Sequence, residues 1–453
     1  MTFQSINPYN GEIIGSYAAM SDEEIQRSLH KAELAYKHWR KTSFVHRADL
    51  MKKAAAILQE NKEKFALLIT NEMGKIINEA RAEVEKCAKH CLYAATQSEA
   101  QLQDDVVEMG VFKSVISYDP IGCVFAVMPW NYPFWQVFRY AAPTIMAGNV
   151  TILKHAPNVL GCATAIANIF EEAGFPKDIF QVAFAEIPQV EQIIAADIVQ
   201  GISLTGSEYA GSQVAALAGK YIKKSVLELG GSDPFIVLPD ADIQLAVRMA
   251  VKSRMMNAGQ ACNAAKRFIV QKDIKEEFLQ KFLENIQQLK QGNPLDDTVN
   301  IGPLARKDLA TNLLNQINAS AQQGAQRIFG GAVNDCNFQP TLLDNVQQGM
   351  PVFEQETFGP VVAIITAESE DEAIRLANQH RYGLAASIWT NDVERGYFLA
   401  RQIDSGNVFI NSIVRSDSRL PFGGVKKSGY GRELHEIGLK EFVNIKTVVI
   451  DKI

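Results

Sequence analysis

Several features are missing from this chain, and each absence narrows its class. No run of about 18 apolar residues is present, so the sequence predicts no membrane-spanning helix. Residues 1–7 contain no basic start followed by an apolar segment, so no signal peptide is predicted. The 45 basic side chains are outnumbered by 51 acidic ones, and the net charge of −6 gives no sign of nucleic-acid binding. We therefore expect a cytoplasmic protein that binds neither membranes nor nucleic acids.

Cysteine is also scarce, because only six occur in 453 residues. They are Cys87, Cys91, Cys123, Cys162, Cys262 and Cys336, a spacing too scattered for a disulfide scaffold. Cys87, His90 and Cys91 lie on one predicted helix, but no further metal ligands are evident nearby. We interpret this group as helix packing and expect no metal. Cys262 is followed by Asn263 and Ala264, so a redox switch between neighbouring cysteines is not supported.

The remaining composition is that of an ordinary globular protein, with 47% hydrophobic and 21% charged residues. A length of 453 residues predicts two or three domains. The first hundred residues have helical patterns. A capping box at 21–24 precedes apolar positions at helical spacing, and further helices are predicted at 45–60 and 78–95.

From about residue 113 the pattern changes to short apolar strands that alternate with helices. Strands are predicted at 113–118, 122–128, 150–153, 179–184, 201–204, 235–238, 267–270 and 361–365, and the tail 442–450 is β-prone. Helices are predicted at 158–173, 189–196, 207–218, 273–288 and 370–378. This alternation predicts βαβ units and a doubly wound α/β fold with parallel sheets, which bind ligands at the carboxyl ends of their strands.

Two segments carry the clearest chemical signal. Residues 257–262 read Asn-Ala-Gly-Gln-Ala-Cys, and Glu228 begins Glu-Leu-Gly-Gly-Ser, 34 positions before Cys262. A thiolate attacks a carbonyl carbon, and a carboxylate takes a proton from the thiol or from water, so the pair suits covalent catalysis. The alternative is a buried thiol and a turn-capping carboxylate. The glycines argue against it, because they let backbone amides approach a ligand closely.

Two further segments each follow a predicted strand. In Met-Pro-Trp-Asn-Tyr-Pro (128–133), the amide of Asn131 can donate to an oxyanion together with the backbone N–H of Cys262. The alternative is a turn before Pro133. Leu-Thr-Gly-Ser (204–207) opens a helix, whose free N–H groups and dipole suit a pyrophosphate, although many helices begin at Gly-Ser.

Together these motifs resemble the aldehyde dehydrogenase superfamily, in the same order and over nearly the whole chain, from Asn7 to Val448. The resemblance implies two doubly wound, Rossmann-like α/β domains and a small β oligomerisation arm. It implies an NAD(P)-binding domain at 1–110 and 121–230 and a catalytic domain with the nucleophilic cysteine at 231–430. The arm is expected at 111–120 and 438–453, with self-association as a dimer or tetramer.

The resemblance also implies roles for single residues. Cys262 is the nucleophile, Glu228 activates water and Asn131 binds the oxyanion. The residues expected to bind NAD or NADP are Trp130, Lys154, His155, Ala156, Pro157, Gly206, Ser207, Leu229, Glu356 and Phe358. Lys154 matches a lysine that contacts the adenosine ribose, and Glu356 matches a carboxylate that binds the nicotinamide ribose. The alternatives are a surface charge at Glu356 and a structural role for His155.

One departure from the family pattern concerns the cofactor. The family often has Pro-Ser-Glu after the lysine, and its Glu holds the ribose hydroxyls in NAD-preferring members. Here His155, Ala156 and Pro157 follow Lys154, and Pro157 takes the position of that Glu. No carboxylate is present to repel a 2′-phosphate, and no serine is present to bind it. We therefore expect use of both NAD and NADP, with the preference open.

The substrate residues are implied by the same comparison. Arg139 matches an arginine that binds the substrate carboxylate in succinate semialdehyde dehydrogenases, and a guanidinium fork suits a carboxylate. Arg419 is a second candidate, whereas Arg254 lies two positions from the expected place, which Met256 occupies. For each arginine an ordinary ion pair is the alternative. The matching aromatic pocket positions are Tyr132, Phe138 and Phe422, with core packing as the alternative.

Segments 154–158 and 228–235 are most similar to a bacterial NAD(P)-dependent succinate semialdehyde dehydrogenase subgroup. We therefore expect NAD(P)+-dependent oxidation of succinate semialdehyde to succinate through a thiohemiacetal and a thioester on Cys262. A CoA-acylating enzyme is an alternative, but it has less need for a base such as Glu228. A broad-specificity or betaine-type aldehyde dehydrogenase without the Arg139 contact is another. A non-catalytic binding or structural protein on the same fold is the third.

Overall fold

The computed structural model of the protein describes residues 1–451, which form two large and mainly parallel β-sheets connected by helices. The predicted α/β fold class with parallel sheets is confirmed. Within the described residues, no helix is long and apolar enough to cross a membrane. All six cysteines are free thiols.

A β-hairpin opens the chain, in which β1 (Thr2–Ile6) pairs antiparallel with β2 (Ile13–Ala18). The prediction of helices throughout the first hundred residues is wrong here, because Gly11 adopts φ +78° in the turn and lets the chain reverse. The helices that follow are α1 (Asp22–Trp39), α2 (Phe44–Glu60), α3 (Lys62–Met73) and α4 (Ile77–Gln101). The predicted capping box is confirmed, since Ser21 Oγ accepts from Glu24 N–H at 3.2 Å and Glu24 Oε2 accepts from Ser21 N–H at 2.8 Å.

The first large sheet has six strands: β5 (Cys123–Met128), β6 (Val150–His155), β7 (Phe180–Val182), β8 (Val199–Thr205), β9 (Lys224–Glu228) and β21 (Gly429–Tyr430). Its order is β21-β9-β8-β5-β6-β7, and only β21 is antiparallel. The connecting helices are α5 (Trp135–Met146), α6 (Leu160–Glu172), α7 (Ile187–Ala195) and α8 (Glu208–Lys220). β5 is almost wholly buried, as expected for a parallel strand covered on both faces.

The second sheet has seven strands: β10 (Asp233–Val237), β11 (Ala265–Gln271), β12 (Gln326–Phe329), β15 (Thr341–Asp344), β16 (Val361–Ala367), β18 (Ala385–Trp389) and β19 (Asn407–Ile410). Its order is β12-β15-β16-β11-β10-β18-β19, and only β12 is antiparallel. Its helices are α9 (Ile243–Met255), a 3₁₀ turn (Met256–Gly259), α10 (Lys272–Ile286), α11 (Lys307–Gln322), α12 (Pro351–Glu354), α13 (Glu370–Asn378) and α14 (Val393–Ala400).

A third, antiparallel sheet joins distant parts of the chain: β3 (Asp105–Val106), β4 (Lys113–Pro120) and β22 (Val443–Ile450). β22 pairs along the whole of β4, from Val443 opposite Pro120 to Ile450 opposite Lys113. Most of β22 is exposed, and its role in self-association stays a prediction. The remaining short elements are β13 (Val333–Asn334), β14 (Asn337–Phe338), β17 (Tyr382–Gly383), β20 (Val425–Lys426) and α15 (His435–Lys440).

The two large sheets adjoin at a crevice where the chain passes from β9 to β10, and loops at their strand ends contact each other. In the first sheet the strand order reverses between β5 and β8, and the loops after these strands open into the position where such sheets bind ligands. β9 ends at Glu228, and the chain then enters the second sheet at Asp233. The carboxyl edge of the first sheet therefore faces the amino edge of the second, whose loops before β11 and β16 carry Cys262 and Glu356.

Candidate active site

Cys262 is carried by a loop with a left-handed backbone. In the 3₁₀ turn before it, Asn257 and Ala258 adopt φ +53° and +51°. This region is unfavourable for residues with a Cβ, so other contacts have to hold the loop. The N–H of Asn257 donates to Glu79 Oε2 at 2.8 Å, and its side-chain amide donates to the Asn131 carbonyl oxygen at 2.9 Å.

The Asn131 side chain is oriented by the same loop. Its Nδ2 donates to the Gln260 carbonyl oxygen at 3.0 Å, two residues before Cys262. An amide nitrogen carries two N–H bonds, so one of them remains for a ligand within the contacts that residues 1–451 provide. Asn131 is also buried, so a ligand at this N–H would meet little competition from water. The geometry can therefore accommodate an oxyanion.

A series of contacts ties the two chemical segments together. Lys266 Nζ donates to the Cys262 carbonyl oxygen at 2.6 Å and lies 3.3 Å from Glu356 Oε1. The same oxygen of Glu356 accepts from the N–H of Gly231 at 3.1 Å. Glycine is required at 231, because a Cβ there would lie 2.8 Å from the Cys262 carbonyl oxygen. Lys266 and Glu356 thus fix the separation between the Cys262 loop and the segment that follows Glu228.

The environment of Cys262 disfavours the thiolate in the free protein. Burial raises the pKa of Cys262 to about 12, which Glu356 and Glu228 reinforce, whereas Arg139 and Lys266 oppose the rise. The thiol is therefore protonated at neutral pH, and a thiolate would form there only with a base or a new positive charge nearby.

Glu228 lies behind the cavity wall rather than on it. Burial raises the pKa of this carboxyl group well above its usual range, with Glu433 adding to the rise and Arg139 opposing it. Arg139 also forms a buried ion pair with Glu433, so one guanidinium serves two carboxyl groups. Glu228 Oε1 has no hydrogen-bond partner in the part of the chain that the structure describes. Gly423 packs against this oxygen, and a Cβ there would lie only 2.7 Å from it. A buried carboxyl group with a raised pKa is suited to proton transfer.

A cavity of about 510 Å³ opens onto Cys262. Its wall comes from α4, α5, α9 and the loop 413–416, and it includes Trp135, Met255 and Phe422. The cationic side chains on the wall are Lys86, Arg139, Lys252 and Arg415, and the acidic ones are Glu79 and Glu83. The cavity has the size of a small-molecule site and presents positive charge to its contents.

The two acidic residues of the wall hold the loops of the site from α4. Glu79 binds the Asn257 N–H, as described above. Glu83 Oε1 accepts from the N–H groups of Phe134 at 2.9 Å and Trp135 at 3.0 Å, which begin α5. Its other carboxylate oxygen pairs with Lys75, and both side chains are almost completely buried. α4 therefore supports both the Asn131 loop and the Cys262 loop.

His90, two turns after Glu83 on α4, compensates for a proline in α5. Pro143 has no N–H to donate to the Arg139 carbonyl oxygen four residues earlier. That oxygen is instead 3.3 Å from His90 Nε2. Burial lowers the pKa of His90 to about 4, so the ring is neutral; with Nε2 donating, Nδ1 accepts from the Ser418 hydroxyl at 2.8 Å. This contact supports the interpretation of the Cys87–His90–Cys91 group as helix packing.

The residues predicted to bind the cofactor lie along the crevice. Ser207 caps α8 through a 3.2 Å hydrogen bond, and the N–H groups of Glu208 and Tyr209 have no partner within the helix. Trp130 and Phe358 meet edge to face with centroids 5.7 Å apart, joining the loop after β5 to the loop before β16. These N–H groups suit a diphosphate, and parallel sheets of this kind bind ligands at the carboxyl ends of their strands. The N–H of Gly206 already donates to the Glu228 carbonyl oxygen at 3.0 Å, and Leu229 packs against Gly211 of α8.

At the end of β6, His155 has a structural contact. Its Nε2 lies 2.9 Å from the Pro133 carbonyl oxygen, and its Nδ1 accepts from Ala156 N–H at 2.9 Å. Burial lowers the pKa of His155 to about 4, so a neutral ring joins β6 to the Asn131 loop. Lys154 is half-buried, and none of the ion pairs among residues 1–451 involves it. Pro157 is exposed beside it.

The structure brings only some of the predicted substrate residues to the cavity, namely Tyr132, Arg139 and Phe422. Phe138 is fully buried and stacks against Phe134 and Phe170, because successive residues of α5 point about 100° apart. Arg419 is 77% exposed and pairs with Asp417 at 2.8 Å, away from the wall. Arg254 is buried and donates to the Thr357 carbonyl oxygen at 2.7 Å.

Sequence reasoning missed several residues that hold the site: Lys75, Glu79, Glu83, Lys86 and Lys266. A signal exists for three of them, because Glu79, Glu83 and Lys86 recur at helical spacing on a helix that otherwise buries Ala80, Val84 and Cys87. Polar side chains on a buried helix need hydrogen-bond partners, and here the loops of the site provide them.

Comparison with known proteins finds similarity over nearly the whole chain. The model of the aldehyde dehydrogenase family matches residues 1–448. A Synechocystis protein named a probable succinate-semialdehyde dehydrogenase, NADP(+), is 47% identical over 99% of this chain and 100% of its own. The Escherichia coli succinate semialdehyde dehydrogenase Sad, NAD(P)+, is 44% identical over 99% of this chain and 98% of its own. A Streptococcus pyogenes succinic semialdehyde dehydrogenase, solved with NADP+, superposes with a TM-score of 0.97 at 36% identity, covering 99% and 100% of the two chains.

The raised pKa of Cys262 can be tested by the rate at which the thiol is alkylated. In the cofactor-free protein, alkylation of Cys262 by iodoacetamide should accelerate about tenfold per pH unit from pH 7 to 9 without a plateau, since the thiolate fraction is still small there. Lys266→Met removes a positive charge that lowers the pKa of Cys262, so alkylation of Cys262 at pH 8 should slow by about threefold or more. Lys252→Met, which changes an exposed lysine of the same cavity, is the control. A plateau below pH 8 would contradict the raised pKa.

Proposed function

The chain belongs to the aldehyde dehydrogenase family, and we propose that it oxidises succinate semialdehyde to succinate with NAD+ or NADP+. The observation that carries this proposal is a cavity that combines the Cys262 thiol with four cationic side chains. A short semialdehyde has a carbonyl carbon for the thiol and a carboxylate for a cation. The Synechocystis and Escherichia coli relatives have this substrate in their names.

The proposed reaction has two steps, formation of a thioester on Cys262 and its hydrolysis. Cys262 loses its proton to Glu228 or to water and adds as the thiolate to the aldehyde carbon. Asn131 Nδ2 and the Cys262 backbone N–H bind the oxyanion. The cofactor supplies the hydride acceptor when it is bound. Glu228 then takes a proton from the water that hydrolyses the thioester on Cys262. Because burial raises the pKa of Glu228, its basic form increases with pH, and hydrolysis should accelerate accordingly.

The proposed cofactor site follows the crevice between the sheets. The free N–H groups of α8 after Ser207 suit the diphosphate, and Lys154 is available for the adenosine ribose or its 2′-phosphate. The further residues assigned to this site are Trp130, Ala156, Pro157, Leu229, Glu356 and Phe358, while His155 and Gly206 support it from behind. The uncharged Pro157 beside Lys154 supports use of both cofactors.

The domain division and assembly are also proposals. We assign residues 1–110 and 121–230 to cofactor binding, 231–430 to catalysis, and 111–120 with 438–453 to an oligomerisation arm. The exposed apolar side chains Ile445, Val449 and Ile450 on β22 support the arm, because a strand edge of this kind favours pairing with another chain. A cytoplasmic location remains an expectation from the sequence.

The arm can be tested by the mass in solution. Sedimentation of the 50.0 kDa chain should give about 100 or 200 kDa, the mass of a symmetric dimer or tetramer. Ile445→Lys places a charge on β22 and should shift the protein towards the monomer. Tyr397→Lys is a matched control, since both side chains are 61% exposed. A monomeric wild type would contradict the arm's role.

The function itself is tested by substrate comparison. With NAD+ and with NADP+, kcat/KM for succinate semialdehyde should exceed that for butanal and betaine aldehyde by about tenfold or more, the value of one charge-assisted hydrogen bond. Both cofactors should support turnover, and CoA should not be required. Equal rates on all three aldehydes would indicate a general aldehyde dehydrogenase. CoA dependence would indicate an acylating enzyme, and absence of turnover would indicate a non-catalytic protein.

A further inference from the structure

We propose that Lys86, held by Ser416, binds the carboxylate of the substrate in the Cys262 cavity. This inference rests on the proposed oxidation of succinate semialdehyde and names the residue that selects for it. The sequence comparison points instead to Arg139, and the structure gives physical reasons to separate the roles of these two cations.

Lys86 is a cation on the cavity wall that forms no ion pair within residues 1–451. Its Nζ donates to Ser416 Oγ at 2.6 Å and lies 4.0 Å from the centroid of the Trp135 ring. None of the ion pairs formed within residues 1–451 includes Lys86. A largely desolvated charge is unfavourable until an anion arrives, so binding of a carboxylate would relieve this cost. The serine hydroxyl and the ring fix the ammonium group in position for that ligand.

The other cations of the wall are less suited to this role. Arg139 is fully buried, forms an ion pair with Glu433 and donates to Thr205 Oγ1 at 3.2 Å, so a carboxylate already balances its charge. Arg415 and Lys252 are exposed residues, where water and salt weaken a contact with an anion. Among the four wall cations, Lys86 alone combines access to the cavity and desolvation with the lack of an ion-pair partner in residues 1–451.

The protonation of Lys86 is consistent with anion binding near neutral pH. Burial lowers its pKa to about 8, and Arg139 on α5 lowers it further. The groups that raise it are Cys87 and Glu83 on α4 and Asp417 in the adjoining loop. The ammonium form therefore predominates at pH 7 and is lost as the pH rises through 8. Titration of Cys262 and Glu228 affects every aldehyde alike. Burial also raises the pKa of Glu79, on the same wall, to about 7, so the comparison with Lys86→Met at each pH isolates Lys86.

The experiment compares succinate semialdehyde with butanal, which has the same carbon chain without the carboxylate. kcat/KM is measured for wild type, Lys86→Met, Lys86→Arg and Arg139→Met. Lys89→Met, an exposed lysine on the same helix, is the matched control. Met is close to Lys in length and removes its charge, and butanal turnover shows that the Lys86 and Lys89 variants are folded. Arg139 acts on the pKa of Cys262 and Glu228, so the folding of Arg139→Met is checked by circular dichroism.

Lys86→Met should reduce the succinate semialdehyde to butanal ratio by about 10- to 100-fold, mainly through KM, as expected for loss of a hydrogen bond to a charged group. Lys86→Arg should restore part of the ratio, and the wild-type ratio should fall between pH 7 and 9. The inference would be overturned in favour of Arg139 if Lys86→Met kept the wild-type ratio of kcat/KM for the two aldehydes and only Arg139→Met lost it. A wild type without preference for succinate semialdehyde would instead refute the proposed function.

Discussion

The buried carboxylate of Glu83 is the group on which the arrangement of the site depends. One oxygen accepts from the N–H groups of Phe134 and Trp135, which fixes where α5 begins, and the other pairs with Lys75. A buried pair is maintained only when its hydrogen bonds are satisfied, and loss of one partner costs about 3–5 kcal/mol. α5 follows the loop that carries Asn131, the residue predicted to bind the oxyanion, and α5 itself carries Arg139. Displacement of Glu83 would therefore move Asn131 and Arg139 together.

The candidate active-site residues come from many parts of the chain because the site lies where the two large sheets adjoin. The first sheet contributes its carboxyl edge, with Asn131 after β5 and Ser207 after β8. The second contributes its amino edge, with Cys262 before β11 and Glu356 before β16. Close approach of these loops requires small residues at defined places. Gly231 faces the Cys262 carbonyl oxygen, and Gly423 faces the Glu228 carboxyl group.

The sequence predicted the α/β class and the segments around Cys262, Glu228 and Asn131, because each is a local motif with its own turn and residue chemistry. It predicted helix in place of the first hairpin, where the turn at Gly11 decides the structure. The support from α4 was missed, since Glu79 and Asn257 are 178 positions apart and only the fold brings them together. Phe138 has the right residue type for a pocket, but its position on α5 directs it into the core.

We propose that Cys262 forms a thioester with the substrate and that Glu228 activates the water that hydrolyses it. The direct measurement is intact-protein mass spectrometry of Glu228→Gln, mixed with succinate semialdehyde and NADP+ and quenched in acid, together with the burst of reduced cofactor. We expect a succinyl adduct on Cys262, a burst of about one equivalent of reduced cofactor per site and slow turnover thereafter. Steady turnover at the wild-type rate without an adduct would contradict it.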